Sequence, residues 1–163
     1  MVKCTQFGTA SKRQLLHVEA DSTQELEPWP VSSSSHFVCL VVWDAPPNRD
    51  VVLRFADTLV EAGAVYVCTF GKGCERVHDA VDEVLVTRTH EPDAEHLIPT
   101  TWHAAETLDD ALWFALFVAN PSAAYESTCR ATVVVTVQAG RYAASIRRDL
   151  GDPEAFSARV LAE

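Results

Sequence analysis

Two periods of apolar and polar positions run along this chain. Phe37 to Trp43 is apolar without a break and rich in Val, which predicts a strand covered on both faces, because a half-wet strand would alternate. The polar turn APPNRD comes next, with Asp50 placed to cap a helix. Val52, Phe55, Ala56, Leu59 and Val60 then recur at helical spacing, with Arg54, Asp57 and Glu61 opposite them, and Gly63 fits a left-handed stop. AVYVCTF predicts a second buried strand. The turn GKGC leads into a helix with Val77, Ala80, Val81 and Val84 on one face, after which Leu85 and Val86 predict a short third strand. TRTHEPDAEH reads as a surface loop, and Leu97 to Trp102 as a short extended segment. Thr107 with Asp110 forms a capping-box pattern ahead of ALWFALFVA, whose apolar surface on nearly every side predicts a buried helix. ATVVVTV predicts a further strand, and after Gly140 two amphipathic helical pieces are separated by Gly151 and Pro153.

Residues 1–35 carry neither period for most of their length. QLLHVEAD has room for one short strand, but ELEPWPVSSSS comes after it, and its prolines withhold ladder donors. This predicts an N-terminal arm or linker pinned by Trp29, with residues 36–163 forming one α/β domain. Strands alternating with helices predict a three-layer sandwich around a mostly parallel sheet of about four strands, Rossmann-like or flavodoxin-like.

Composition narrows the function classes. A chain of 163 residues with 48% hydrophobic and 22% charged residues has room for a substantial core. No apolar run reaches the roughly 18 residues of a membrane-spanning helix. The first twenty residues lack the continuous apolar stretch of a secretory signal, so a cytoplasmic location is expected. An odd number of cysteines, five, argues for free thiols over a disulfide framework. Between Glu75 and Asp110 ten acidic residues face two arginines, a surplus of −8 within a chain of net charge −10. Such a field repels a phosphate backbone and excludes nucleic acid as the expected partner; it suits cations, a basic protein surface, or simple solubility.

In sheets of this kind the ligand crevice lies beyond the carboxyl ends of the strands. Asp44, Cys68, the GKGC turn with Gly71 and Gly73, and the cluster Thr100, Thr101, Trp102, His103 and Glu106 are expected there, as a polar pocket lined by hydroxyls, an indole and an imidazole. The GKGC turn has the spacing of neither a P-loop nor GxGxxG, although backbone donors at a following helix start suit a small anion. Cys74 opens that helix and His78 sits four residues on. The pair has the ingredients of a nucleophile and base, with Asp44 or Asp79 to orient the ring. The same region offers Cys68, Cys74, His78 and His103 as a thiolate and imidazole set for zinc, although five residues separate the two cysteines, longer than zinc-ribbon spacing. Against each of these stands the simpler possibility of a buried small thiol or a histidine bonded at an element's end.

A WD ending on the first strand, CTFGKGCERVHD after the second, and TTWHAAETLDDALWF before the buried helix together resemble a small uncharacterised bacterial α/β domain family, over residues 36–138. That resemblance implies a Rossmann-like core and no catalytic role for any residue. The leading expectation is a ligand-binding or protein-interaction domain, since no catalytic set is complete. A cysteine- and histidine-dependent hydrolase or transferase, or a zinc-binding protein, is the alternative.

Overall fold

The strand β3 (His36–Trp43) is where the two hydrophobic clusters of the protein meet. Phe37, Cys39, Val41 and Trp43 enter one cluster, and Val38, Leu40 and Val42 enter the other, as the two-residue period of an extended chain requires. The computed structural model describes residues 1–32, 35–46, 48–89 and 91–163. Ser33 and Ser34 of the expected linker, Pro47 of the turn and His90 of the surface loop lie outside the described residues.

Around β3 the chain runs β1 (Lys3–Ala10), β2 (Arg13–Ala20), β3, α1 (Arg49–Ala62), β4 (Ala64–Phe70), α2 (Cys74–Arg88), β5 (Thr100–Trp102), α3 (Leu108–Phe117), β6 (Cys129–Val137), α4 (Gly140–Gly151) and α5 (Pro153–Leu161). The sheet has six strands in the order β1-β2-β6-β3-β4-β5; all neighbours are parallel except the β1/β2 pair. The fold is therefore α/β, as expected, but with six strands in place of about four. The first cluster takes Val52, Phe55, Ala56 and Leu59 of α1 with Val77, Ala80, Val81 and Val84 of α2. The second takes Ala111, Leu112, Ala115 and Leu116 of α3 with Ile146 and Leu150 of α4 and Phe156 of α5. Each fully buried Leu, Ile or Phe of this kind contributes about 1.5–3 kcal/mol of transfer free energy.

The largest correction concerns the N-terminus. Residues 3–20, expected in an arm, form a hairpin that belongs to the sheet, with β2 paired along β6 from Gln14 to Ala20. The hairpin turn, Ser11 and Lys12, has both residues at positive φ (51° and 61°), a geometry usually signalled by Asn-Gly, so the sequence carries no turn signature there. The segment between β2 and β3 matches the expected arm more closely: Trp29 stacks on Phe37 with ring centroids 5.5 Å apart.

Two smaller corrections have local chemical causes. Asn48, not Asp50, caps α1: its side chain accepts from the backbone N–H groups of Asp50 and Val51. Leu85 and Val86 do not begin a strand; α2 continues through them to Arg88. The expected stop at Gly63 (φ 108°) and the Thr107 and Asp110 capping box are both present.

Candidate functional site

Two loops leave the carboxyl ends of neighbouring strands, and one glycine lets them meet. Gly71, directly after β4, has φ 109°, and a Cβ there would stand 2.1 Å from the Trp43 carbonyl oxygen. Only glycine fits, on grounds of both dihedral and space. The turn then folds back, with Cys74 N–H donating to the Gly71 carbonyl, and Gly73 takes the N-cap position of α2 with an ordinary negative φ.

Asp44, at the end of β3, is held by Arg141 at the start of α4. The guanidinium grips both carboxylate oxygens, Nε at 2.7 Å and Nη2 at 3.0 Å. Arg141 lies 4.5 Å over the Tyr142 ring, and Tyr142 meets Phe70 edge to face. Asp44 thus fastens the end of β3 to the start of α4 and does not orient His78.

The thiols are not activated. Cys68 is fully buried, and burial pushes it up to about 12, partly offset by the Thr101 side chain. Cys74 is 2% exposed, and burial likewise raises its pKa despite the backbone donors of Glu75 and His103. A helix start alone lowers a thiol pKa, but at Cys74 burial outweighs it.

β5 divides the remaining groups between its two faces. Thr100 and Trp102 point towards α2. There the Thr100 hydroxyl donates to Asp82 Oδ1 at 2.6 Å and lies 3.0 Å from His78 Nε2, while His78 Nδ1 is 3.0 Å from Asp79 Oδ1. Trp102 meets the His78 ring at 4.6 Å and is 51% exposed. Thr101 faces the other side, where His103 Nε2 lies 3.1 Å from its hydroxyl and His103 Nδ1 lies 2.6 Å from Glu106 Oε2. That pairing puts the imidazole proton on Nδ1, with Thr101 donating to Nε2. Glu106, His103 and Thr101 stand in the order of a hydrolase triad, yet the ring packs against Phe114 of α3, 5.0 Å away, and the row fastens the loop between β5 and α3.

The expected sets therefore do not converge. Both His78 nitrogens are engaged by Asp79 and Thr100, so His78 is not free to serve Cys74 as a base. His78 and His103 bond consecutive threonines on opposite faces of one strand, which separates the expected zinc ligands Cys68, Cys74, His78 and His103. Among the described residues no three His, Cys, Asp or Glu side chains gather to hold a metal ion.

The groups that the structure does bring together have no motif in the sequence. Below the His78, Thr100 and Asp82 network, a groove of about 480 Å³ runs between the second half of α2 and the 92–98 loop, lined by Asp82, Leu85, Val86, His96, Leu97, Ile98 and Tyr125 among others. Val86 is 64% exposed and Leu97 49%. The one signal in the sequence is Val86 itself, an apolar residue outside the buried stripe of α2.

Fold and site together define an α/β protein with a mixed, mostly parallel six-stranded sheet and an apolar, acid-bordered edge at β5. The chain belongs to the family described as a domain of unknown function, DUF7684, whose model matches residues 14–153, from β2 to the first residue of α5. No curated protein and no solved structure matches it.

Proposed function

We propose that this domain is a binding module without catalytic chemistry of its own, and that it engages a basic, partly apolar segment of a partner protein along β5, α2 and the 92–98 loop. One observation carries this reading. Among the described residues, three of the six exposed large hydrophobic side chains, Val86, Leu97 and Trp102, lie along this strip, and Asp82, Asp93, Glu91 and Glu95 lie on or beside it. Apolar surface left in water beside concentrated negative charge suits a cationic amphipathic segment. The Asp82, Thr100 and His78 bonds hold the polar rim in place before binding, which lowers the ordering cost.

The thiol-dependent and zinc-dependent alternatives have no such support, given two buried thiols with raised pKa values and dispersed ligands. Helices contributing to clusters on alternate sides of β3 favour a Rossmann-like layering, and five free cysteines suit a reducing compartment such as the cytoplasm.

The test is titration of the protein with a lysine- and leucine-rich amphipathic peptide, monitored by calorimetry. Binding is expected to weaken steeply between about 50 and about 500 mM NaCl and to fall at least tenfold in a Leu97→Ser/Trp102→Ala variant. Affinity indifferent to both salt and the variant overturns the reading.

A further inference from the structure

Arg13 is a buried cation without a carboxylate partner. It is 4% exposed; Nε donates to Thr132 Oγ1 at 2.8 Å, and Nη2 to the Ala115 and Leu116 carbonyls at 3.1 and 3.4 Å. Nη1 has no hydrogen-bond partner, and no Asp or Glu pairs with the guanidinium, among the described residues. The two carbonyls belong to the last turn of α3, whose dipole supplies about half a negative charge. The other half is balanced by no protein group among the described residues, only by solvent at Nη1, and a largely desolvated charge of this kind carries a cost. A buried carboxylate or lysine escapes that cost by neutralising, but a guanidinium in practice does not.

The same side chain lines a surface cavity of about 460 Å³ beside the hairpin turn and the start of β6. Lys12 and Arg130 line it too; both are exposed and neither makes an ion pair among the described residues. Glu126 is the single carboxylate among the lining residues, so the cavity carries +2 in a chain of net charge −10. Ser127 and Asn120 add neutral polar groups, while the Ser11 hydroxyl is spent on the Leu116 carbonyl at 2.7 Å. A buried fork with a free nitrogen, two unpaired cations and a cavity between them converge on one spot, in a chain of opposite net charge.

We propose that this cavity binds a small oxyanion, the phosphoryl group of a metabolite, with Arg13 as its floor and Lys12 and Arg130 as its walls. Three cations opposing one acid balance a dianion better than a monoanion, which favours phosphoryl over carboxylate. The net charge of −10 on the chain as a whole favours a small molecule over a polyanion, which it would repel.

Thermal unfolding of the whole chain tests the site, with inorganic phosphate and acetate in separate arms at constant ionic strength maintained with chloride. Phosphate is expected to raise Tm saturably by at least about 3 °C, with acetate giving less than half of that. Lys12→Ala/Arg130→Ala, which changes only exposed side chains, is expected to remove most of the phosphate response while leaving the unliganded Tm near that of the parent. No response in the parent chain, the same response in the variant, or an acetate response equal to that of phosphate overturns the proposal. The first of these outcomes leaves Arg13 as a cap on α3 only.

Discussion

Thr100 and Thr101 are neighbours on β5, and their hydroxyls lie within hydrogen-bond distance of two different histidines on opposite faces of the sheet. A three-residue edge strand is too short to hold its place by ladder bonds alone, so the two faces anchor it through side chains, to α2 by way of His78 and Asp82 and to the following loop by way of His103 and Glu106.

Replacing Thr100 by Val removes the hydroxyl while keeping the shape, and leaves the His78 ring nitrogen without its partner in a site where the side chain is 9% exposed. The expected loss is about 1–3 kcal/mol, seen as a lower urea midpoint with an unchanged slope. An unchanged midpoint would show that β5 does not need this bond.

Gly71→Ala places a Cβ against the Trp43 carbonyl oxygen at 2.1 Å, on a backbone with φ 109°. Stability is expected to drop by at least about 3 kcal/mol. Gly8→Ala, where an added Cβ meets nothing within 4 Å, serves as the near-neutral control in the same denaturation series.

His17 is fully buried on β2, with Nε2 3.2 Å from Thr136 Oγ1 and Nδ1, without a hydrogen-bond partner among the described residues, 3.9 Å from Glu19 Oε2. Burial lowers its pKa from 6.5 to about 4, against the pull of Glu19 and with smaller contributions from Arg147 and Lys3. Because the native pKa lies below the unfolded one, the unfolded chain binds more protons between these values. Stability is therefore retained above pH 6.5 and lost as pH falls towards 4, by up to about 3 kcal/mol. The urea midpoint of the parent is expected to fall relative to that of His17→Gln as pH drops from about 7 to about 4.5, because only the parent carries this penalty. Parallel curves would remove His17 from the acid sensitivity.

Thiol counting separates the five cysteines. Cys4 is exposed on the outer edge of β1, while Cys39, Cys68, Cys74 and Cys129 are buried. With an aromatic disulfide reagent at neutral pH, one thiol is expected to react promptly in the native protein and all five after unfolding. Prompt labelling of Cys74 would reopen the nucleophile reading.

The central strands and their helices were legible because burial on both faces writes itself as runs dominated by apolar residues, unbroken in Phe37–Trp43 and Val133–Val135. The hairpin was not. β1 has an exposed outer face and few apolar groups, and its turn uses Ser11 and Lys12 where a hairpin signature would have glycine. The site residues were legible as types and not as arrangements. Which side of β5 each threonine faces decides that His78 and His103 are kept apart, and the two-residue period becomes informative only once the strand's boundaries and neighbours are known. Arg13 was invisible for a related reason: its burial depends on β6 and the end of α3, both more than a hundred residues away.

β6, the last strand along the chain, sits between β2 and β3 in the sheet. During synthesis the hairpin and the β3–β5 segment therefore emerge as two separate pieces, each with an unsatisfied backbone margin, until Cys129–Val137 arrives to zip them together. A chain without those residues would leave β2 and β3 each with an open edge, the kind of margin that pairs with neighbouring chains.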